Sequence, residues 1–358
     1  VAGDISHVGV ILDASGDQWK TADAGQSDGR LVGWTCLKMT RKYDARTGTF
    51  LWRRGGSEDP EEVLRGLTFT APPVRAGAKG DVLVTPATSD DGFLAVGLTP
   101  SGGLLWVKKL YSYLPESFEL IDESFGSGAS LAAHGDLVVG APGQGLVFAI
   151  SSRGETIWEA RYPSGVRQAL NDPRWAPCHP IVSGGKAVVA PFEGDCLLAI
   201  DLNTGAAAWT KRFLTGYHCL LGADASRVFF MDGTGRVTAL SLADGTVAWA
   251  SEALGPPSGR GFATSHRVYA AAGRSVVLLD AAKGTVIKKC KVWDDRIPEP
   301  VPGNLFLSRG DLFVGGTWGY AGLEPYEVSL AALDSLGIRE QLLRRAMISH
   351  ALGNYVEA

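Results

Sequence analysis

The chain is predicted to be an all-β protein, a seven-bladed β-propeller of four-stranded antiparallel blades, with an eight-bladed ring as the alternative. Three observations carry this. A turn with a glycine and a following tryptophan recurs along the chain. A polar residue followed by a β-branched or aromatic run recurs in step with it. The chain holds 46 glycines in 358 residues, the composition of many short strands joined by tight turns.

The glycine turn is clearest in "LLAIDLNTGAAAWTK", with Asp201, Thr204, Gly205 and Trp209 as marked positions. "YDARTGTFLW" repeats Asp44, Thr47, Gly48 and Trp52, and "ALSLADGTVAW" has Ala239, Gly245 and Trp249. "LTPSGGLLW" ends at Trp106 and "AISSRGETIW" at Trp158. "LLDAAKGTVIK" keeps Asp280 and Gly284 and places Lys288 where tryptophan would stand. The marker glycines 48, 102, 154, 205, 245 and 284 are 54, 52, 51, 40 and 39 residues apart. Spacings of about 40–50 residues are those of four-stranded propeller blades.

Each residue type has a physical reason. An aspartate opening a turn accepts hydrogen bonds from the backbone two residues on. Glycine adopts the positive φ of a turn that ends in a bulge. Tryptophan on the outer strand offers a large flat area and one N–H donor to the neighbouring blade. A blade alone has an unburied face, so stacking makes the core.

The second marker stands at Arg30, Asp81, Asp136, Lys186, Arg227, Arg267 and Asp311, and seven such runs imply seven blades. With strands A to D counted outward from the axis, these runs are strand B. From marker to glycine the distances are 18, 21, 18, 19, 18 and 17. From Trp52, Trp106, Trp158, Trp209, Trp249 and Lys288 to the next marker they are 29, 30, 28, 18, 18 and 23. The A–B hairpins look tight, so the variation belongs to the D-to-A loops. D-to-A and B-to-C loops leave an antiparallel blade on one face, and loops are where function concentrates.

The pattern Ala-x-Asp-x-x-Thr-Gly-x-x-x-Trp, complete at Ala199, Asp201, Thr204, Gly205 and Trp209, resembles the tryptophan-docking motif of the quinoprotein (PQQ-like) propeller family. The resemblance covers roughly Gly29 to Tyr326. It implies the fold, with Trp52, Trp106, Trp158, Gly205, Trp209, Gly245 and Trp249 as structural positions. It leaves function open among enzymes, assembly scaffolds and sensors. Dehydrogenases of this family use adjacent cysteines over PQQ, a calcium site and an aspartate base. Here no two of Cys36, Cys178, Cys196, Cys219 and Cys290 are adjacent, and no catalytic residue stands out. The expectation is no cofactor, with PQQ and calcium as the alternative.

The N-terminal "HVGVIL" (His7–Leu12) is expected to close the ring as strand D of the seventh blade, so that residues 1–335 form the propeller. Residues 336–358 read as a helical segment, whose end "ALGNYVEA" resembles the start of a tetratricopeptide-like region. A chain beginning at Val1 is expected to be a piece of a larger protein.

A net charge of −4 without a basic run argues against nucleic acid, and no apolar run approaches the roughly 18 residues a membrane span needs. Cys178, His179, His218 and Cys219 offer a weak candidate zinc set, and packed thiols and imidazoles near the axis are the expected reading. The long loops supply the binding candidates Tyr111, Tyr113, Phe118, Glu119, Arg174, Trp175 and Trp293, with Trp318 and Tyr320 from a B-to-C loop. Aromatic and arginine side chains are the composition of binding hot spots. The expected role is a non-catalytic scaffold or sensor that binds a protein or small ligand on this face. A PQQ-dependent dehydrogenase and a carbohydrate-binding propeller are the alternatives. Resemblance to bacterial outer-membrane assembly lipoproteins implies an extracytoplasmic setting, with a cytoplasmic one as the alternative that the unpaired cysteines favour.

Overall fold

The computed structural model describes residues 7–11, 18–25, 40–44, 50–112 without 72 and 91, 131–163 without 144, 178–213 without 192 and 193, 218–291, 303–308, 311–316 and 319–323. These form seven antiparallel sheets in chain order. The first holds β1 (His7–Ile11), β2 (Gln18–Gly25), β3 (Thr40–Asp44) and β4 (Phe50–Arg54). The second holds β5 (Thr68–Phe69), β6 (Val74–Ala76), β7 (Val82–Ser89), β8 (Gly92–Leu98) and β9 (Leu104–Ser112), with β5 and β6 both on β7. The third is β10 (Leu131–His134), β11 (Leu137–Gly143), β12 (Leu146–Ser151) and β13 (Thr156–Arg161). The fourth is β14 (Ile181–Ser183), β15 (Lys186–Val189), β16 (Cys196–Asp201) and β17 (Ala207–Arg212). The fifth is β18 (His218–Ala223), β19 (Arg227–Asp232), β20 (Arg236–Ser241) and β21 (Val247–Ala253). The sixth is β22 (Phe262–Ala263), β23 (Arg267–Ala272), β24 (Ser275–Asp280) and β25 (Val286–Lys291). The seventh has three described strands, β26 (Asn304–Ser308), β27 (Asp311–Gly316) and β28 (Gly319–Leu323).

Two expectations are corrected at the N-terminus. β1 pairs antiparallel with β2, from His7 opposite Gly25 to Ile11 opposite Thr21, so it belongs to the first sheet and not to the seventh. The second strand of that sheet is Gln18–Gly25, not the run at Arg30, which lies outside the described residues. β1 is an edge strand of that sheet. The C-terminal helical segment also lies outside the described residues.

The third strands are buried on both faces: β8 (Gly92–Leu98), β12 and β16 contain no exposed residue. This explains their continuous apolar runs, which follow no alternation. Core clusters fill each interval between consecutive sheets. Leu83, Phe69 and Leu98 sit between the first two, and Phe93 and Phe148 meet at 6.0 Å between the second and third. Phe229, Met231 and Val268 lie between the fifth and sixth, and Val276, Leu305 and Val314 between the sixth and seventh. Each sheet buries its faces only against its neighbours.

The glycine turn does what its residues predict. Asp201 Oδ1 accepts the N–H groups of Asn203 and Thr204 and the Thr204 hydroxyl, at 3.1, 2.9 and 2.9 Å. Those bonds favour the charged form, so the Thr204 hydroxyl first and its N–H second hold the Asp201 carboxyl below its ordinary range. Ser151 and Ser241 perform the same capping with a hydroxyl. One register shift between C and D accompanies each turn, as at Ala199/Ile200 and Ala239/Leu240.

Asp224 makes a related lock in the A–B hairpin of the fifth sheet. Its carboxylate accepts the backbone N–H groups of Ser226 and Arg227 at 2.8 and 2.7 Å and pairs with the Arg227 guanidinium at 2.8 Å. Burial acts to raise its pKa, but the bonds from Ser226 and Arg227 outweigh it, and the carboxyl titrates below its ordinary value. A depressed folded pKa stabilises the protein above the ordinary carboxylate range and loses that contribution as pH falls through the folded value. Asp224→Ala is therefore expected to lose about 1–3 kcal/mol at neutral pH. The difference from the parent chain should shrink in urea titrations as pH is lowered below about 4.

Candidate functional site

The backbone separates two faces. On one, the C–D turn of a sheet is tied to its own A–B hairpin: Ser152 N–H donates to Asp136 O, Leu202 to Gly185, Leu242 to Ser226 and Ala281 to His266, at 2.7–3.1 Å. The carbonyls of the same four residues accept an indole N–H from the preceding sheet. Trp106 donates to Ser152, Trp158 to Leu202, Trp209 to Leu242 and Trp249 to Ala281, at 2.8–3.0 Å. Trp52 donates likewise to Pro100 O at 3.1 Å. Each ring lies over the glycine of the next turn, so that a Cβ on Gly102, Gly154, Gly205, Gly245 or Gly284 would lie within 3 Å of Trp52, Trp106, Trp158, Trp209 or Trp249. The residue after each turn-opening position thus links three strands through its backbone alone. Only Pro100 lacks the N–H half of the link, because it has no amide hydrogen.

A second link went unread in the sequence. Two residues beyond Trp52 and Trp209, Arg54 and Lys211 donate to the carbonyls of Gly102 and Gly245. The signal, a cation at tryptophan plus two, is present in "LWRR", "LWVKK" and "AWTKR" but absent where Ala160 and Ser251 stand.

The other face gathers the B–C turns and D-to-A connections. Tyr162 N–H donates to Gly145 O at 2.9 Å, Phe213 to Asp195 O at 2.5 Å and Leu254 to Gly235 O at 3.4 Å. Strand ends on this face enclose long connections: residues 55–67, 113–130, 162–180 and 292–303 contain 13, 18, 19 and 12 residues. Those at 213–217 and 254–261 contain 5 and 8. The opposite hairpins are short, such as the two residues 135–136 and 184–185. The described strand ends that bound the long connections are therefore on the face predicted from the marker spacing.

Of the long connections, residues 55–67 are described in full, and they fold back onto their own blade. Asp59 is buried and accepts Gly55 and Glu61 N–H groups at 2.5 and 2.9 Å, with Arg54 at 3.4 Å. Leu64 and Leu67 enter the core between the first two sheets, while Val63 is 52% exposed. Tyr111, at the end of β9, is half-buried against the core shared with Phe93 and Phe148, and the Arg161 guanidinium lies over its ring at 5.7 Å. Tyr320 is in strand β28, not in a B-to-C loop, because that strand begins at Gly319. Tyr113, Phe118, Glu119, Arg174, Trp175, Trp293 and Trp318 lie outside the described residues.

The four zinc candidates do not converge. His218 and Cys219 are successive residues of β18, so their side chains leave opposite faces. His218 packs on Phe213 at 4.7 Å and Phe230 at 5.7 Å. Cys219 enters the core between the fifth and sixth sheets, and Cys178 that between the fourth and fifth. His179 is exposed. Burial pushes the Cys178 thiol up to about 12 against the opposing charge of Arg260, and burial raises Cys219 as well. Thiols held protonated are poor ligands and poor nucleophiles. Among the described residues no three His, Cys, Asp or Glu side chains are placed to hold a metal ion.

Indole-clamped sheets, aspartate-capped turns and one elaborated face define a propeller-like protein of PQQ-like repeats. The family model described as "Outer membrane protein assembly factor BamB" matches residues 38–321, and the chain belongs to that family. It is 26% identical over 266 residues to outer membrane protein assembly factor BamB of Burkholderia pseudomallei, covering 71% of this chain and 63% of that protein. It is 27% identical over 133 residues to the BamB of Escherichia coli, covering 36% of this chain and 32% of that protein. The chain therefore spans less than two thirds of these relatives. The crystal structure of BamB from Moraxella catarrhalis has the same fold, with a TM-score of 0.56 and 17% identity over 87% of this chain and 80% of that one.

Proposed function

We propose that the chain is a non-catalytic propeller scaffold that binds a protein partner through the face carrying the long D-to-A connections. The observation that carries this reading is the division between the two faces. One has short hairpins and indole clamps, and the strand ends on the other bound the long connections. Membership of a family named for outer membrane protein assembly supports a scaffold role and an extracytoplasmic setting. Among the described residues no helix is long and apolar enough to cross a membrane. The seven sheets are read as the blades of one ring within residues 1–335, followed by a helical segment over 336–358. The loop residues Arg174, Trp175 and Trp293 are the proposed hot spots, with Glu119 in the acidic loop.

The test is affinity capture from bacterial envelope extract with the parent chain and with variants of equal thermal stability. Replacing 116–123 with a Gly/Ser turn, or Trp175→Ala with Trp293→Ala, is expected to reduce partner recovery by about tenfold or more. Unchanged recovery with both variants would remove this face. Dye reduction with added PQQ, Ca²⁺ and an alcohol or sugar would replace the scaffold reading by the dehydrogenase one.

A further inference from the structure

We infer that β25, the outer strand of the sixth sheet, is a docking edge for an extended acidic segment of a partner protein, which adds to the sheet as a further strand. Among the described residues β25 is hydrogen-bonded on one side only, to β24. Half of its backbone N–H and C=O groups therefore point outward, the template that strand addition uses.

β25 differs from the other outer strands in what holds it down. In five sheets the third position of the marked run is a tryptophan, buried or half-buried against the next sheet. In β25 it is Lys288, and the five consecutive residues Thr285 to Lys289 are all exposed. Consecutive strand residues point to opposite faces, so both faces of this edge are open. Val286 and Ile287, at the register shift of this strand, are 50% and 47% exposed and offer two apolar side chains.

The charge selects the occupant. Four lysines and no acidic residue lie between Asp280 and Asp294. On two other outer strands a cation has a carboxylate beside it: Arg53 pairs with Glu58 at 3.0 Å, and Arg212 approaches Asp195 at 3.9 Å. Lys288 and Lys289 have no carboxylate partner among the described residues. Lysine on an edge strand opposes pairing with a second copy, since like charges would meet across the new ladder. The same lysines attract a strand that places carboxylates opposite them and apolar side chains opposite Val286 and Ile287. This edge lies on the rim, apart from the long-loop face.

The experiment uses the full chain and a fluorescent peptide, acetyl-Thr-Val-Val-Glu-Glu-Val-Thr-amide, read by anisotropy. Saturable binding is expected, weakening with salt, absent for the peptide with Lys in place of Glu, and lost when the central Glu-Glu becomes Pro-Glu. K288E/K289E is expected to weaken it about tenfold or more while leaving the circular dichroism melt unchanged, and V286T/I287T to weaken it without changing its salt dependence. Equal binding by parent and K288E/K289E overturns the proposal. So does equal binding of the proline peptide, which would mean charge attraction without strand pairing. A concentration-dependent dimer that the peptide disperses would give the edge to a second copy instead. Replacing 116–123 should leave peptide binding intact, so failure here and failure of the loop-face reading are separate results.

Discussion

Trp158→Ala is expected to destabilise the protein by about 3–5 kcal/mol, the range for removing a large buried aromatic. Trp158 is 7% exposed, lies over Gly205 and donates to Leu202 O at 2.8 Å. Its loss opens a cavity between the third and fourth sheets and leaves a buried carbonyl short of one donor. Gly205→Ala attacks the same contact from the other side. Gly205 has φ +73°, and a Cβ there would lie 2.8 Å from the Trp158 ring. The left-handed backbone alone costs a non-glycine residue about 1–2 kcal/mol, and the clash adds an overpacking penalty of about 1–3 kcal/mol. In the Trp158→Ala background the clash with the ring is gone, and the backbone cost remains with a milder contact to the retained Cβ of residue 158 at 3.0 Å. Urea midpoints of the two single variants and the double variant should therefore show strong non-additivity. Additive losses would mean that ring and glycine do not act as one contact.

Gly235→Ala is the second large effect, and it falls on the opposite face. Gly235 has φ +79°, and a Cβ there would stand 1.8 Å from the Gly255 carbonyl oxygen. The obstacle is backbone, so no rotamer change relieves it. The turn at 233–235 must part from the connection at 254–261, and the expected loss is about 2–5 kcal/mol. Gly273→Ala is the control, because it has φ +55° with nothing within 4 Å of the added carbon. It should cost only the backbone part, about 1–2 kcal/mol. Hydrogen exchange at Leu254, whose N–H donates to Gly235 O, should accelerate in the first variant and not in the second. Equal losses at both positions would overturn the steric account.

The turn motif was legible because its chemistry is local. Asp201, Thr204 and Gly205 hydrogen-bond within five residues of chain, so their identity reports their geometry. The residue that carries the clamp was not legible. Ser152, Leu202, Leu242, Ala281 and Pro100 share no side-chain chemistry, since only their backbone carbonyls are used. Strand pairing at the N-terminus failed for a different reason. Gln18–Gly25 and the run at Arg30 both satisfy a strand pattern, and which one pairs is a long-range choice that no adjacent turn marks. The zinc candidates matched by counting back from their strands. The alternation along β18 then sent His218 and Cys219 to opposite faces, where each joins a different core.

The sequence by itself determined the repeat, the turn geometry, the docking tryptophans and the face that bears the added length. Each of these is written in short-range spacing and in residue types with one evident use. Tertiary structure alone decided which strand opens the first sheet, which carbonyl each indole meets and how exposed each outer strand is. Those depend on what lies across the gap between sheets, some 30 to 50 residues away in the chain. The exposed lysine at 288 shows the difference. In the sequence it is a missing tryptophan; in the fold it is one of five consecutive exposed residues on an outer strand, with no carboxylate partner among the described residues.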